Sequence, residues 1–475
     1  MCRHCCYIVG SFVFVGSNDT DMHDFTTGTI GKPLAKFAIP IILGNFFMQT
    51  YNIVDSIVVG TYLGKEALAA VGAAYPVIFL LTSLVMGISS GGTVLVSHYK
   101  GAKDSDNLKR SIDTTYLFII AAGVLITILG ILLTPAIYRI TNLPKDVFPL
   151  AVSYLQVYLL STIFAFCFNG TSAILRGMGD SKTPLFFLIA CNVINLVLTT
   201  LFICVLNYGV ESSAWASVIS QVCASVSLFV YLKYKKSVAI IRFRSCQWSA
   251  RIFSSMIKIG LPTGLQQSVV SLGQMALMSI VNGFGTVFVA AYSAMMRIDA
   301  IATMPGMNFS QALTSFVGQN IGAGKMDRVV KGWRFIFTTN IIVSLVMSAI
   351  FILFGKSIMS CFSSDVAVID EGYRYLLICG PFYFLFSAMF SFTGLFRGAG
   401  DTLPTMLISL FSLWLFRIPC AYIFSSLWGS VGVWISIPVG WLFGLIFSVL
   451  YYKYGKWRTK NITSSDISHH TAVDM

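Results

Sequence analysis

Charged residues are scarce in this chain, making up 11% of its 475 positions against about 25% in soluble globular proteins. That shortfall excludes an ordinary cytosolic enzyme, a disordered chain and a nucleic-acid module, so no nucleic-acid partner is expected. The five histidines stand at 4, 23, 98, 469 and 470, none deep in an apolar run, and paired carboxylates are absent from those runs. A membrane-embedded protease or acyltransferase would lack its acid–base groups. The chain is therefore not read as an enzyme, and neither catalytic residues nor a metal or organic cofactor are expected. No Gly-x4-Gly-Lys-Ser/Thr sequence occurs, which leaves ATP-driven transport without a phosphate cradle. The eleven cysteines are scattered, and those inside apolar runs act as small hydrophobes, so no disulfide framework is implied.

What the chain has instead is apolar length: 56% of residues are hydrophobic and the mean hydropathy is +0.79. Lipid cannot satisfy a bare backbone, so a spanning segment must be a helix of roughly 20 apolar residues or part of a closed barrel. Twelve such segments are predicted, at about 35–60, 68–97, 112–137, 149–175, 184–206, 212–232, 256–282, 287–317, 335–355, 373–396, 403–426 and 430–452. None alternates strictly as a membrane strand would. The fold class is an all-α integral membrane protein of twelve transmembrane helices in two pseudo-symmetric six-helix lobes.

Lys and Arg set the orientation. One set of loops, with the C-terminal tail, holds 22 of them, whereas the other holds five, Lys65, Arg139, Lys145, Lys356 and Arg374. The excess places the first set and both termini in the cytoplasm, in a multi-pass plasma-membrane protein of the bacterial inner-membrane type. Residues 1–21, with Cys2, Cys5 and Cys6 and a short apolar stretch, fit nothing downstream, and Met22 reads as a more natural start. The expected organisation is an N-terminal tail at 1–33, a lobe at 34–234, a basic cytoplasmic linker at 235–252, a second lobe at 253–452 and a cytoplasmic tail at 453–475.

One offset recurs along the chain. RGMGD at 176–180 matches RGAGD at 397–401, and GAK at 101–103 matches GAG at 322–324, both at a shift of 221. Ala69 and Ala73 match Ala290 and Ala294 at the same shift, and Pro40 matches Pro262 at 222. The halves are homologous, and six helices being even, they are parallel repeats, an arrangement typical of carriers that rock two lobes about a midplane site.

Ionisable residues inside spans are costly and are functional candidates by default. Three are clear: Asp55 in the first segment, and Arg297 and Asp299 in the eighth. Asp55 is ten residues before Lys65, at most about 15 Å from the outer boundary. Asn192, Asn195 and Thr199 are spaced three and four apart on one face of the fifth segment, and Thr199 and Ser217 flank Glu211 at similar depth. A carboxylate among amide and hydroxyl oxygens can hold an alkali cation or take up a proton. Arg297 and Asp299, two apart, do not face each other. The Asp180 and Asp401 carboxylates end the two RG-GD turns and are placed to cap the following helices.

Taken together, IPIILGNFFMQTYNIVDSIVVGTYLG at 39–64, ALAAVGAAYP at 67–76, LRGMGD at 175–180, GQNIGAGK at 318–325, FRGAGDTLP at 396–404 and LFRIPCAY at 415–422 resemble the multidrug and toxic compound extrusion (MATE) family. The resemblance covers about residues 25–455. It implies two six-helix lobes and export of small organic, cationic or amphipathic compounds in exchange for H⁺ or Na⁺. The family's cation pocket maps onto Asp55, Asn195, Thr199 and Ser217, with Asn192 on the same face. Thr199 is a departure, standing where the family has a second carboxylate, and it favours H⁺ or weakly bound Na⁺ as the coupling ion. The seventh and tenth segments, acidic in some relatives, offer Gln266, Gln267, Gln274 and Ser391, so the second lobe is not expected to be the coupling lobe. Gln49, Gln266, Gln267, Arg297 and Asp299 are expected to line the substrate cavity of a monomer in the bilayer. A flippase for lipid-linked oligosaccharide is the alternative reading; it calls for a more basic cavity than Arg297 and Arg417 supply.

Overall fold

The computed structural model describes residues 23–459 apart from 142, 145, 207 and 242–245, and, within its helices, the side chains apart from those at 52, 53, 55–57, 65 and 68. The expectation for residues 1–21 lies outside the described residues.

Every regular element among the described residues is helical. A helical run, Gly31–Ala102, breaks at Gly64 into α1, residues 31–63, and α2, Ala69–Ala102. Then come α3 (Ser105–Ile140) and α4, a broken helix of Phe148–Leu160 and Thr162–Gly177 bent by 45°, followed by α5 (Lys182–Val205) and α6 (Glu211–Tyr234). After the linker come α7 (Ala250–Asn282), α8 (Thr286–Gly322), α9 (Met326–Ser360), α10 (Val366–Gly398), α11 (Leu403–Trp428) and α12 (Ser430–Tyr454). The helices among the described residues thus follow the predicted order. Among the described residues nine are long and apolar enough to cross a bilayer, and bent α4 makes a tenth. α7, with its glutamines, is not among the ten, and neither is α1.

The described residues form two compact units. The first comprises residues up to Asp24 and Ile39–Gly260; the second comprises Phe25–Ala38 and everything from Leu261 onward. Shifted by 222, Phe25–Ala38 falls on 247–260, so the same piece of each repeat is packed with the opposite unit. This differs from the sequence boundaries, which follow the helices and cannot see where a lead-in segment docks.

In the second unit the start of the lead-in is tied through its backbone. Phe25 N–H donates to Gln319 Oε1 at 3.1 Å, and Asn320 Nδ2 donates to Phe25 O at 3.2 Å. Lys325 Nζ donates to Thr26 O, and Arg328 reaches the carbonyls of Phe25, Thr27 and Gly28 at 2.8–3.0 Å. The Phe25 ring is buried between Phe37 and Phe316. The polar residues of GQNIGAGK are thereby explained as a clasp. In the first unit the equivalent lead-in docks on α3, where Gln247 N–H donates to Asp113 Oδ2 and Ser249 N–H to Thr114 Oγ1, each at 3.3 Å. Asp113, fully buried, is neutralised by Lys109 at 2.6 Å.

The 221-residue shift holds in three dimensions. Gly64 and Gly285 turn between helices with φ of 85° and 86°, and Lys103 and Gly324 both have positive φ, 58° and 70°. The break in α4 at Ser161 corresponds to the 3₁₀ turn Gly380–Phe382 in α10. Each break leaves a carbonyl that a neighbouring hydroxyl answers: Thr127 Oγ1 donates to Leu159 O at 3.1 Å and Ser348 Oγ to Gly380 O at 2.6 Å, again 221 apart. The cores repeat as well. Ala70, Val147, Tyr154 and Leu155 in the first unit correspond to Ala291, Val368, Tyr375 and Leu376 in the second.

Gly177 and Gly398 close these frames, since an added Cβ would stand 2.7 Å from the carbonyl oxygens of Thr93 and Thr314. Gly177→Ala and Gly398→Ala should each destabilise the protein by about 1–3 kcal/mol, the usual cost of overpacking. Thermal unfolding in detergent checks this, with Gly72→Ala, at a helical position where an added Cβ meets no atom within 4 Å, expected to cost less.

Candidate functional site

The first unit carries a buried polar cluster built on Asn195. Its amide nitrogen donates to Ser217 Oγ at 3.1 Å and to Ser220 Oγ at 3.0 Å, both on α6. Its Oδ1 accepts from Tyr51 Oη on α1 at 2.9 Å and from Thr199 Oγ1, one turn along α5, at 3.1 Å. An amide has two donor hydrogens and two acceptor lone pairs, so Asn195 is saturated, and three helices meet at one side chain. Asn195, Thr199, Ser217 and Ser220 are all buried. Directly beyond Thr199 and Thr200, Leu201–Val205 winds as a π-helix, a local widening that often accompanies function.

The structure therefore brings together Asn195, Thr199 and Ser217 of the expected cation pocket. Asn192 shares the helix face, but its buried amide nitrogen makes no hydrogen bond. Asp55 lies in α1 four residues after Tyr51, the spacing of neighbours on one helical face; its side chain is outside the described ones. Sequence reasoning missed Tyr51 and Ser220, although Tyr51 is one turn from Asp55 and Ser220 three residues from Ser217, spacings that could have found both. A cation at this position would draw on the hydroxyl oxygens of Thr199 and Ser217 and would reach Asn195 Oδ1 only by displacing Tyr51 or Thr199, and a proton would need only the carboxylate.

Of the residues expected to line a substrate cavity, some are exposed and some are held within their own unit. Gln49 in the first unit and Gln267 and Arg297 in the second are exposed. Gln266 is buried; it accepts from Arg397 Nη2 at 2.6 Å and donates to Ser409 Oγ and Thr405 O. Its amide binds α7 to the RGAGD turn. Asp299 accepts from Tyr375 Oη at 2.8 Å. The two RG-GD turns are structural: Asp180 Oδ1 accepts the N–H groups of Lys182 and Thr183 at 3.1 and 3.0 Å, capping α5, and Asp401 accepts from Tyr451 Oη.

Asn195→Ala would leave Tyr51, Thr199 and the two serines without their shared partner. Loss of several hydrogen bonds in a buried cluster should cost about 1–3 kcal/mol, read as a lowered unfolding temperature, whereas Ser217→Ala, which removes one acceptor, should cost less.

Comparison with known proteins places these features in context. A family model, MatE, matches residues 40–201 and 262–423, once in each repeat. The chain is 33% identical over 442 residues to the probable multidrug resistance protein YpnP of Bacillus subtilis, covering 93% of this chain and 98% of that protein. It is 25% identical over 445 residues to the probable multidrug resistance protein NorM of Thermotoga maritima, covering 92% and 95%. Among solved structures, the crystal structure of MATE in the bent conformation superposes with a TM-score of 0.85 at 24% identity, covering 93% of this chain and 98% of that one.

Proposed function

The chain belongs to the MatE family of multi-pass membrane transporters, and from that premise we propose that it exports cationic or amphipathic organic compounds across the plasma membrane in exchange for H⁺ or Na⁺, with Asp55 as the coupling carboxylate. Drug extrusion is supported by relatives named as multidrug resistance proteins. The single observation that carries the coupling reading is the saturated Asn195, which holds Tyr51 of α1 against Thr199 and Ser217 one helical turn from Asp55.

The physical argument runs from charge. An ionised carboxylate inside a bilayer needs donors or a cation, and a neutral one does not. Loading Asp55 with a positive particle changes which hydroxyls of the cluster must turn towards it. Because Asn195 ties α1, α5 and α6 together, that change is felt by three helices at once. The cluster itself offers neutral oxygens, with Thr199 in place of a second acid, and Asp55 is the one acid of this reading. A proton suits a single carboxylate; Na⁺, a hard cation wanting several oxygens, is held less tightly when only one of them is charged. On this reading both termini face the cytoplasm, where 22 of the Lys and Arg residues lie, and substrate leaves on the side of Lys65 and Lys356.

Two substitutions test the assignment in proteoliposomes loaded with a fluorescent cationic dye, under a pH gradient and a Na⁺ gradient applied separately. Asp55→Asn should reduce gradient-driven dye movement to the leak of empty vesicles while leaving the unfolding temperature close to the parent; full retained movement overturns the coupling role. Thr199→Asp should increase the response to Na⁺ several-fold, and an unchanged Na⁺ titration counts against the pocket.

A further inference from the structure

The repeat makes one departure conspicuous. In the first unit the core around Tyr154 and Leu155 is finished by Ile78 of α2, an apolar side chain packed against it. In the second unit the same core, with Tyr375 and Leu376, has Asp299 at the position 221 residues after Ile78. A carboxylate has replaced a hydrocarbon at a fixed place in a duplicated frame. Asp55 shows the converse, since the second unit has Ala276 or Leu277 at that position, depending on a one-residue difference in register.

The surroundings of Asp299 are built for a carboxyl group. Tyr375 Oη donates to Asp299 Oδ1 at 2.8 Å. Tyr383 Oη, in the same buried core, makes no hydrogen bond. The other titratable or charged groups acting on Asp299 are Cys379 on α10, Arg417 on α11 and Tyr292 on its own helix. Arg417 Nε is also buried without a partner. Trp434 covers the group, stacked on Tyr292 at 5.7 Å and edge-on to Tyr375 at 5.0 Å. Its indole N–H holds Glu371 Oε1 at 2.9 Å. Glu371 lies one turn before Tyr375 on α10, about 6 Å along the axis, and is paired with Arg374 at the end of the helix.

We propose that Asp299 is a second proton-binding site, internal to the second unit, held by Tyr375 and loaded from the Glu371 end. The ligand is a proton rather than Na⁺. Tyr375 presents an O–H donor to the carboxylate, and Arg417 supplies positive charge that a metal cation would have to oppose, whereas an alkali ion needs several free oxygen lone pairs. One proton adds to the carboxylate oxygen and no other bond is made or broken. Once neutral, Asp299 no longer requires the Tyr375 phenol and the guanidinium, and the packing of α8 on α10 is freed to change. The inference deepens the exchange reading and rests on it: the carrier would hold one protonatable acid per unit, at unrelated positions of the repeat.

Trp434 provides a reporter that needs no transport. Tryptophan emission of the full chain in nanodiscs, followed from pH 4 to pH 9, should show a transition that is lost in Trp434→Phe and in Asp299→Asn, persists in Asp55→Asn, and has a displaced midpoint in Asp299→Glu and Tyr375→Phe. Retention of the transition in Asp299→Asn, its loss in Asp55→Asn, an unmoved midpoint in Tyr375→Phe, or no Trp434-dependent transition in the parent would each overturn the proposal. Dye movement that ignores both gradients would overturn the exchange reading alone, because the titration is read at equilibrium.

Discussion

Lipid offers no hydrogen bonds, so each polar group carried into the bilayer must be answered from within the protein. That constraint organises this structure more than any apolar contact does. It explains why Asn195 uses all four of its hydrogen-bonding positions. It also explains why a hydroxyl stands opposite each broken helix, Thr127 for α4 and Ser348 for α10. Hydrogen bonds of this kind are individually modest in membrane proteins, averaging about 0.6 kcal/mol. Their importance is in position: each fixes one helix against another where apolar side chains alone would slide.

The duplicated frame sets a background against which differences can be read. Positive φ angles, helix breaks, core residues and hydroxyl ties recur at one shift, so a residue that fails to recur stands out. Lys103, with φ of 58° where its counterpart is Gly324, is such a case: a left-handed conformation costs a non-glycine residue roughly 1–2 kcal/mol. The acids are the chemically weightier case. Neither Asp55 nor Asp299 has a carboxylate counterpart in the other repeat, which separates the requirements of the fold, shared by both halves, from those of each unit's chemistry.

Much of this was legible in the sequence. Apolar length marked the helices because a spanning helix has no other way to hide its backbone, and the repeat was visible because glycines at turns and close approaches cannot drift. Asn195, Thr199 and Ser217 were found by helical spacing plus depth. Tyr51 and Ser220 were missed because a tyrosine or serine in an apolar run is ordinary until its partner is known. The tie from Gln266 to Arg397, 131 residues away, was not legible, since nothing in its neighbourhood along the chain points to it. The docking of each lead-in segment on the opposite unit was hidden for the same reason: its partners are fixed by tertiary proximity, and hydropathy is silent about polar loops.

The clasp around Phe25 also has a history in time. Its partner Gln319 lies 294 residues downstream, and ribosomes add about 5–20 residues per second. The amino-terminal segment therefore waits roughly 15–60 s during synthesis before its acceptor exists. Phe25, fully hidden in the finished protein, lacks that cover throughout the interval, and the second unit is completed only when this early-made segment returns to it.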